Sequence, residues 1–341
     1  MAEVGAGGRR RGVSWSAALR WVFGLAVLGL VVWLLVTGTD WGAVADSLVA
    51  ADYGWLALAL AAILGTFVTR GLRWRALFHR DRVGLVAAIT AILVGQAINA
   101  GLPVARSGDV ARAVWVGQRE PVGVSQAIGT IVLEKVWDLL ALCAAGLVLL
   151  LAWPLPAWFS QSTWAVVGAA AVGLGALYLG LAWQRPLLRL TTRVMQRLSG
   201  RASGMVMPRL EQLVAALDAA RQPQSAAKAG IWTFATWALG ALANWAVMRA
   251  FGVGSWPGAL FLEVTLMLGG AAVPTPGRIG VFEGITVVSL GQFGVAAGPA
   301  LAIGVVLHAV VLVPALVSAA ALSLARAGPS SPRRPSPVAE S

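Results

Sequence analysis

The sequence predicts an all-α, polytopic membrane protein with six spanning helices and two re-entrant hairpins arranged as an inverted repeat. Three observations carry that expectation: long apolar runs, basic residues confined to alternate loops, and two stretches where Pro, Gly and Arg interrupt sequence at membrane depth. Of the 341 residues, 58% are hydrophobic and 12% charged, and the mean hydropathy is +0.79. That balance lies outside the range of soluble domains and disordered chains, and alternating strand patterns are missing, so the runs are read as helices. They cover about residues 20–36, 53–69, 86–102, 124–153, 164–183, 229–251, 258–273, 280–293 and 299–325. A crossing takes about 20 apolar residues. The runs 258–273 and 280–293 are therefore too short to cross alone.

Charge orients these runs. Twenty of the 26 Lys and Arg residues fall in 1–20, 70–82, 185–228 and 326–334, whereas 37–52, 154–163, 252–257 and 294–298 hold none. The positive-inside rule places the first set, with both termini, in the cytoplasm and the second set outside. An odd number of crossings must then separate 70–82 from 154–163, yet two runs lie between them. Residues 86–118 are accordingly predicted to enter from the cytoplasm, turn at Pro103 to Gly108 and return. The same parity makes 258–293 a hairpin that enters from outside and turns at Pro274 to Gly280. Helix, helix, hairpin, helix then recurs upside down, as repeat 1 over about 20–153 and repeat 2 over about 164–325. Transporters built as inverted repeats bind substrate near the midplane at broken helices.

The remaining segments are shorter in consequence. Residues 1–19 form a basic cytoplasmic N-terminus ahead of a retained first helix, because the run from Trp21 to Val36 lacks a convincing small-residue cleavage site. In 184–228, Arg185, Arg189, Arg193, Arg197 and Arg201 recur every four residues with Leu187, Leu190, Val194 and Leu198 between them. That pattern predicts an amphipathic cytoplasmic segment on the inner leaflet. The Pro/Ser-rich residues 326–341 read as a disordered cytoplasmic tail. Cys143 is the lone cysteine and the two histidines, His79 and His308, show no ligand spacing, so no metal or cofactor is expected. The net charge of +12 is juxtamembrane, which argues against a nucleic-acid partner. Small-residue spacings are too common in a chain with 40 glycines to settle whether it forms an oligomer.

Ionisable residues inside spans are costly, and each is a functional candidate with a partner to be named. They are Arg106, Asp109, Arg112, Glu134, Lys135, Asp138, Glu263, Arg278 and Glu283. Arg106 and Arg278 stand in parallel contexts, a Pro, a few residues, then Arg-x-Gly. A guanidinium at a hairpin tip can grip a phosphate in bidentate fashion, and the helix N-terminus near Ile279 would add positive potential. The alternatives are an ion pair of Arg278 with Glu283 or Glu263, and a salt bridge of Arg106 with Asp109. Glu134 and Asp138 share a helix face, and Lys135 can pair with Asp138; the alternative is that LEKVWDLL is a cytoplasmic extension of a segment longer than the bilayer. Gln96, Asn99 and Asn244 are expected to bond helix to helix. Nucleophile-elbow, phosphate-loop and dinucleotide signatures do not occur, so no catalytic residue is assigned and the chain is expected not to be an enzyme.

RGLRWRALF, NAGLPVARSGDVARA, LEKVWDLLAL and PTPGRIGVFEG, in this order and near these spacings, resemble the flippase-like transmembrane region of lysylphosphatidylglycerol synthases. The resemblance covers about residues 20–325. It implies a membrane domain that translocates a polar or aminoacylated phospholipid across the cytoplasmic (inner) membrane. In that family the region usually accompanies a cytosolic aminoacyl-transfer domain, which this chain is expected to lack; a separately encoded transferase is then a candidate partner. Some relatives are linked to polyprenyl-phosphate or glycolipid pathways, and the alternative is a membrane-embedded subunit or transferase for such a lipid. By motif position the resemblance points to Arg106, Asp109, Glu134, Asp138, Arg278 and Glu283, and with Arg112 these form the expected substrate-binding set. Two departures stand out: Lys135 where an Arg is commoner, and Arg278 where many such proteins have Gly.

Overall fold

Asp40 and Asp52 each start a helix, their carboxylates accepting from the Ala43 and Gly54 amides at 3.1 and 2.9 Å. An aspartate at this position satisfies amides that have no partner inside the helix. A computed structural model describes residues 40–78, 83–101, 107–173, 222–272 and 276–327, with single positions at 29, 33, 37 and 175. All regular structure among the described residues is helical. The helices are α1 (Trp41–Val49), α2 (Tyr53–Ala76), α3 (Leu85–Gly101), α4 (Ser107–Arg119), α5 (Val124–Ala152), α6 (157–173), α7 (Pro223–Ala250), α8 (Trp256–Ala272), α9 (Val281–Gly291) and α10 (Ala297–Ala327). A 3-10 turn, Pro276–Arg278, precedes α9.

The apolar runs read from the sequence each fall on one of these helices where they are described. Helix α1 is an addition, since 37–52 reads as a plain loop until Asp40 is recognised as a cap. Among the described residues, four helices are long and apolar enough to cross a membrane: α2, α5, α7 and the Ala297–Ser318 part of α10. Helices α3, α8 and α9 are shorter. The first expected span, 20–36, lies outside the described residues except at 29 and 33, and 164–183 is described only to 173 and at 175. Residues 1–19, 184–221 and the tail from 328 lie outside them too, and Pro223 to Lys228 open α7 rather than ending the amphipathic segment.

Helices α2 and α7 form an antiparallel central pair. The Asp52 amide donates to the Ala250 carbonyl at 2.9 Å, Thr69 and Thr236 hydroxyls lie 2.8 Å apart, and Leu239 lies over Gly65. Against this pair stand two helical hairpins. In the first, α3 and α4 touch backbone to backbone: a Cβ on Gly108 would overlap the Gly95 carbonyl, and Asn99 accepts from the Gly108 amide at 2.8 Å. In the second, Thr265 of α8 and Ser289 of α9 bond at 2.8 Å, and Ile285 covers Gly269.

The hairpins open at opposite ends of the central pair. Leu85 and Ile89, at the start of α3, cover Gly71 near the C-terminus of α2. Trp256, at the start of α8, stacks on Trp245 near the C-terminus of α7, with ring centroids 4.6 Å apart. The turn after α8 reaches the end of α3, where a Cβ on Gly277 would sit 3.5 Å from the Ala100 carbonyl. Buried Trp74, Phe78, Phe67 and Ile92 centre one apolar cluster around the first hairpin, and Met248, Leu262, Leu290 and Leu307 centre another around the second. Large apolar residues such as Leu151, Val86 and Phe234 remain on the outer surface, as expected where lipid is the solvent.

Candidate functional site

Three helices bring charge together at one end of the central pair. Helix α2 contributes Arg73, about 30 Å along its axis from Tyr53 at 1.5 Å per residue. Helix α4 contributes Asp109 and Arg112, one turn apart, and α5 contributes Glu134, Lys135 and Asp138. Each oxygen of Glu134 receives a different guanidinium, Arg73 at 2.9 Å and Arg112 at 2.8 Å. Arg73 also donates to Asp138 at 2.6 Å, and Arg112 to Asp109 at 3.1 Å. Lys135 closes the ring, 3.7 Å from Asp109 and 3.6 Å from Asp138.

Burial within this ring is uneven. The Glu134 side chain is 1% exposed and both guanidinium side chains 2%, whereas Lys135 is 29% exposed. Breaking such a buried pair would strand an uncompensated charge; among the guanidinium nitrogens of the ring, Arg73 Nε and Arg112 Nη2 have no hydrogen-bond partner. Trp74 adds to the enclosure: its ring lies under the Arg112 guanidinium, 4.8 Å from the centroid, and its indole N–H donates to Thr130 at 3.0 Å. Arg70 lies within electrostatic range of Glu134 and Arg112. With it, four cations face three carboxylates, and the group as a whole carries one surplus positive charge.

The second hairpin holds another polar group. Glu283, in the first turn of α9, accepts from the Gly280 amide at 2.6 Å through one oxygen and lies 2.6 Å from His308 Nδ1 through the other. His308 Nε2 reaches the Gly277 carbonyl at 2.8 Å, and Phe282 stacks on the imidazole at 4.5 Å. Both side chains are buried. The turn itself is left-handed at Gly277, Arg278 and Gly280, with φ of 61°, 59° and 82°. An Arg in that conformation is disfavoured by about 1–2 kcal/mol, and this one presents an exposed side chain.

The structure thus gathers Asp109, Arg112, Glu134 and Asp138 into one cluster and places Arg278 and Glu283 on the second hairpin. Arg106, with Pro103 and Pro274, lies outside the described residues. The two acids named as alternative partners of Arg278 bond other groups: Glu283 the histidine, and Glu263 the Asn244 amide at 2.7 Å. Asn99 and Asn244 do bond from helix to helix. The Gly280 amide, at the N-cap of α9, serves Glu283.

Two functional candidates escaped the sequence reading. Arg73 was counted with the basic residues that mark the cytoplasmic side, although the Asp52 cap followed by 20 helical residues leaves it on the helix. His308 was weighed only as a metal ligand; a lone His opposite a membrane acid was the available signal. Among the described residues no three His, Cys, Asp or Glu side chains gather as a metal site. A groove of about 480 Å³ between α6, α8 and α9 is lined mainly by apolar groups, among them Trp158, Leu268, Ile285 and Val288.

No curated protein matches the chain. The family described as the lysylphosphatidylglycerol synthase TM region matches over residues 21–319. Nearly the whole chain is covered, the helices inside it are those of a membrane protein, and the protein therefore belongs to that family.

Proposed function

We propose that this protein translocates a polar or aminoacylated phospholipid between the leaflets of the cytoplasmic membrane. In this reading it has six crossing helices, two re-entrant hairpins related as an inverted repeat, and both termini inside. The observation that carries it is the encounter of two broken-helix hairpins that open toward opposite ends of α2 and α7, with Gly277 against the Ala100 carbonyl. Inverted-repeat transporters put their substrate path at such a junction. The basic residues of α2, α4 and α5 mark the cytoplasmic end.

Arg106 and Arg278 contact the lipid phosphate at the hairpin tips. Glu134 has both oxygens on arginines and sets the shape of the inner end of the path; Asp138 and the partly exposed Lys135 meet the headgroup as it passes. The carboxylates transform nothing, since each already holds a cation or an imidazole. A membrane-embedded transferase subunit for a polyprenyl-phosphate or glycolipid is the second reading, favoured by the gathering of Asp109, Glu134 and Asp138 toward one end.

Proteoliposomes loaded with labelled lipid decide between them. Arg106→Ala and Arg278→Ala are expected to insert and fold but to lose translocation, while Lys at either position retains part of it, because charge persists without the bidentate geometry. Unchanged rates in both Ala variants would refute the phosphate contact. Formation of a new covalent lipid product from an activated donor, lost in Asp138→Asn, would favour the transferase.

A further inference from the structure

We propose that Glu283 and His308 form a proton-binding site whose occupancy holds or releases the tip of the second hairpin, so that hairpin movement is coupled to protons. The inference rests on reading that hairpin as the moving part of a lipid translocator, and its first test does not require lipid to move.

The geometry fixes the number of protons. His308 Nε2 faces the Gly277 carbonyl at 2.8 Å. A carbonyl only accepts, so Nε2 must carry a hydrogen. His308 Nδ1 faces Glu283 at 2.6 Å, and that short contact needs one more proton between nitrogen and oxygen, placed on either. The other Glu283 oxygen accepts from the Gly280 amide and can do so in both forms. The pair as seen thus binds two protons and is neutral overall.

Removal of one proton breaks one of the two contacts. If the remaining hydrogen stays on Nε2, a carboxylate faces the bare lone pair of Nδ1. If it moves to Nδ1, the imidazole keeps a charge-assisted bond to Glu283, and Nε2 presents a lone pair to the Gly277 carbonyl. The second state is favoured because a hydrogen bond to an ionised acid is roughly twice as strong as one to a neutral carbonyl. Deprotonation therefore detaches the tip, and protonation fastens it. The tip is already strained at Arg278 and meets the first hairpin at Ala100, so its release alters the junction between the two hairpins.

Other charges leave the pair in control. Glu263 of α8 faces Asn244 and Gly240. Asp46 belongs to α1, which packs near Gly298 and Leu301, roughly 10–15 Å along α10 from His308. Arg70 and Arg73 of α2 face Glu134, Arg75 lies beyond them on α2, α3 has no ionisable residue, and Lys228 and Arg249 lie toward the two ends of α7. Arg278, next to Gly277 in the chain, is the cation of the tip itself, and Phe282 covers one face of the imidazole.

The test is a nitroxide at Ile279→Cys in a Cys143→Ser background, followed by electron paramagnetic resonance in nanodiscs over a series of pH values from about 5 to 9. The spectrum should be broad at low pH and sharpen as pH rises. Glu283→Gln keeps the amide acceptor for Gly280 and donates permanently to Nδ1, so its spectrum should stay broad throughout. A spectrum of the unmodified pair that does not change with pH, or a change that persists unaltered in both Glu283→Gln and His308→Gln, would overturn the proposal. In proteoliposomes the same Gln variant should lose the dependence of lipid movement on an imposed pH gradient. Lipid movement that follows the gradient equally with and without Glu283→Gln contradicts proton coupling, whereas failure of any labelled lipid to move, with the spectral switch intact, contradicts the translocator reading alone.

Discussion

The first hairpin is tied to its neighbours by buried ion pairs, whereas the tip of the second is held by one imidazole. Asp109 and Arg112 of α4 reach three charged groups of α5, directly or through a shared partner, and Glu134 alone joins α2 to α4 through two guanidiniums. Displacing any helix of this network parts charges from their partners at membrane depth, which is costly. On the second hairpin, loss of one proton lets His308 release the Gly277 carbonyl while Glu283 keeps its bond to the imidazole, so the tip can part without separating an ion pair. A buried ionic network suits a part that stays in place, and a protonatable link suits one that moves.

The largest test of this contrast is a pair of deletions. Glu134→Ala leaves two buried arginines facing each other and should lower stability by about 3–5 kcal/mol. Glu283→Ala leaves an imidazole that can be neutral, and should cost about 1–3 kcal/mol, the penalty of an unmet polar group. Thermal unfolding in detergent micelles measures both, and equal losses would remove the distinction between the hairpins.

A smaller effect is expected in the backbone of the first hairpin. Gly108→Ala places a methyl group against the Gly95 carbonyl and Asn99, an overpacking that should cost about 1–3 kcal/mol and separate α3 from α4. Distance measurements between spin labels on those helices would detect the separation. Smallest, and of opposite sign, is Arg278→Gly. It relieves a left-handed arginine and should stabilise the protein by about 1 kcal/mol, while lipid movement falls. A variant that is more stable and equally active would make the tip arginine dispensable.

Much of this arrangement could be read from residues. Apolar runs located the helices because hydropathy dominates helix placement in lipid, and the short runs at 258–273 and 280–293 announced a hairpin because they could not cross alone. Asp109, Arg112, Glu134 and Asp138 were identifiable as charges in apolar surroundings. Their mutual partners were not, since Arg73 approaches from another helix 61 residues away from Glu134, and only packing reveals that distance in sequence as contact. His308 was hidden for the same reason: 25 residues separate it from Glu283. Helix α1 was missed because nine residues capped by one Asp give too weak a periodic signal.

Movement of the second hairpin is tested most directly by fastening it. A Cβ on Gly304 of α10 would lie 3.2 Å from that of Thr286 on α9, close enough for a disulfide after slight adjustment. In a Cys143→Ser background, Thr286→Cys with Gly304→Cys should stop labelled lipid from changing leaflet when oxidised and restore it when reduced. Equal rates in the two redox states, with the disulfide verified by mass, would contradict a moving second hairpin.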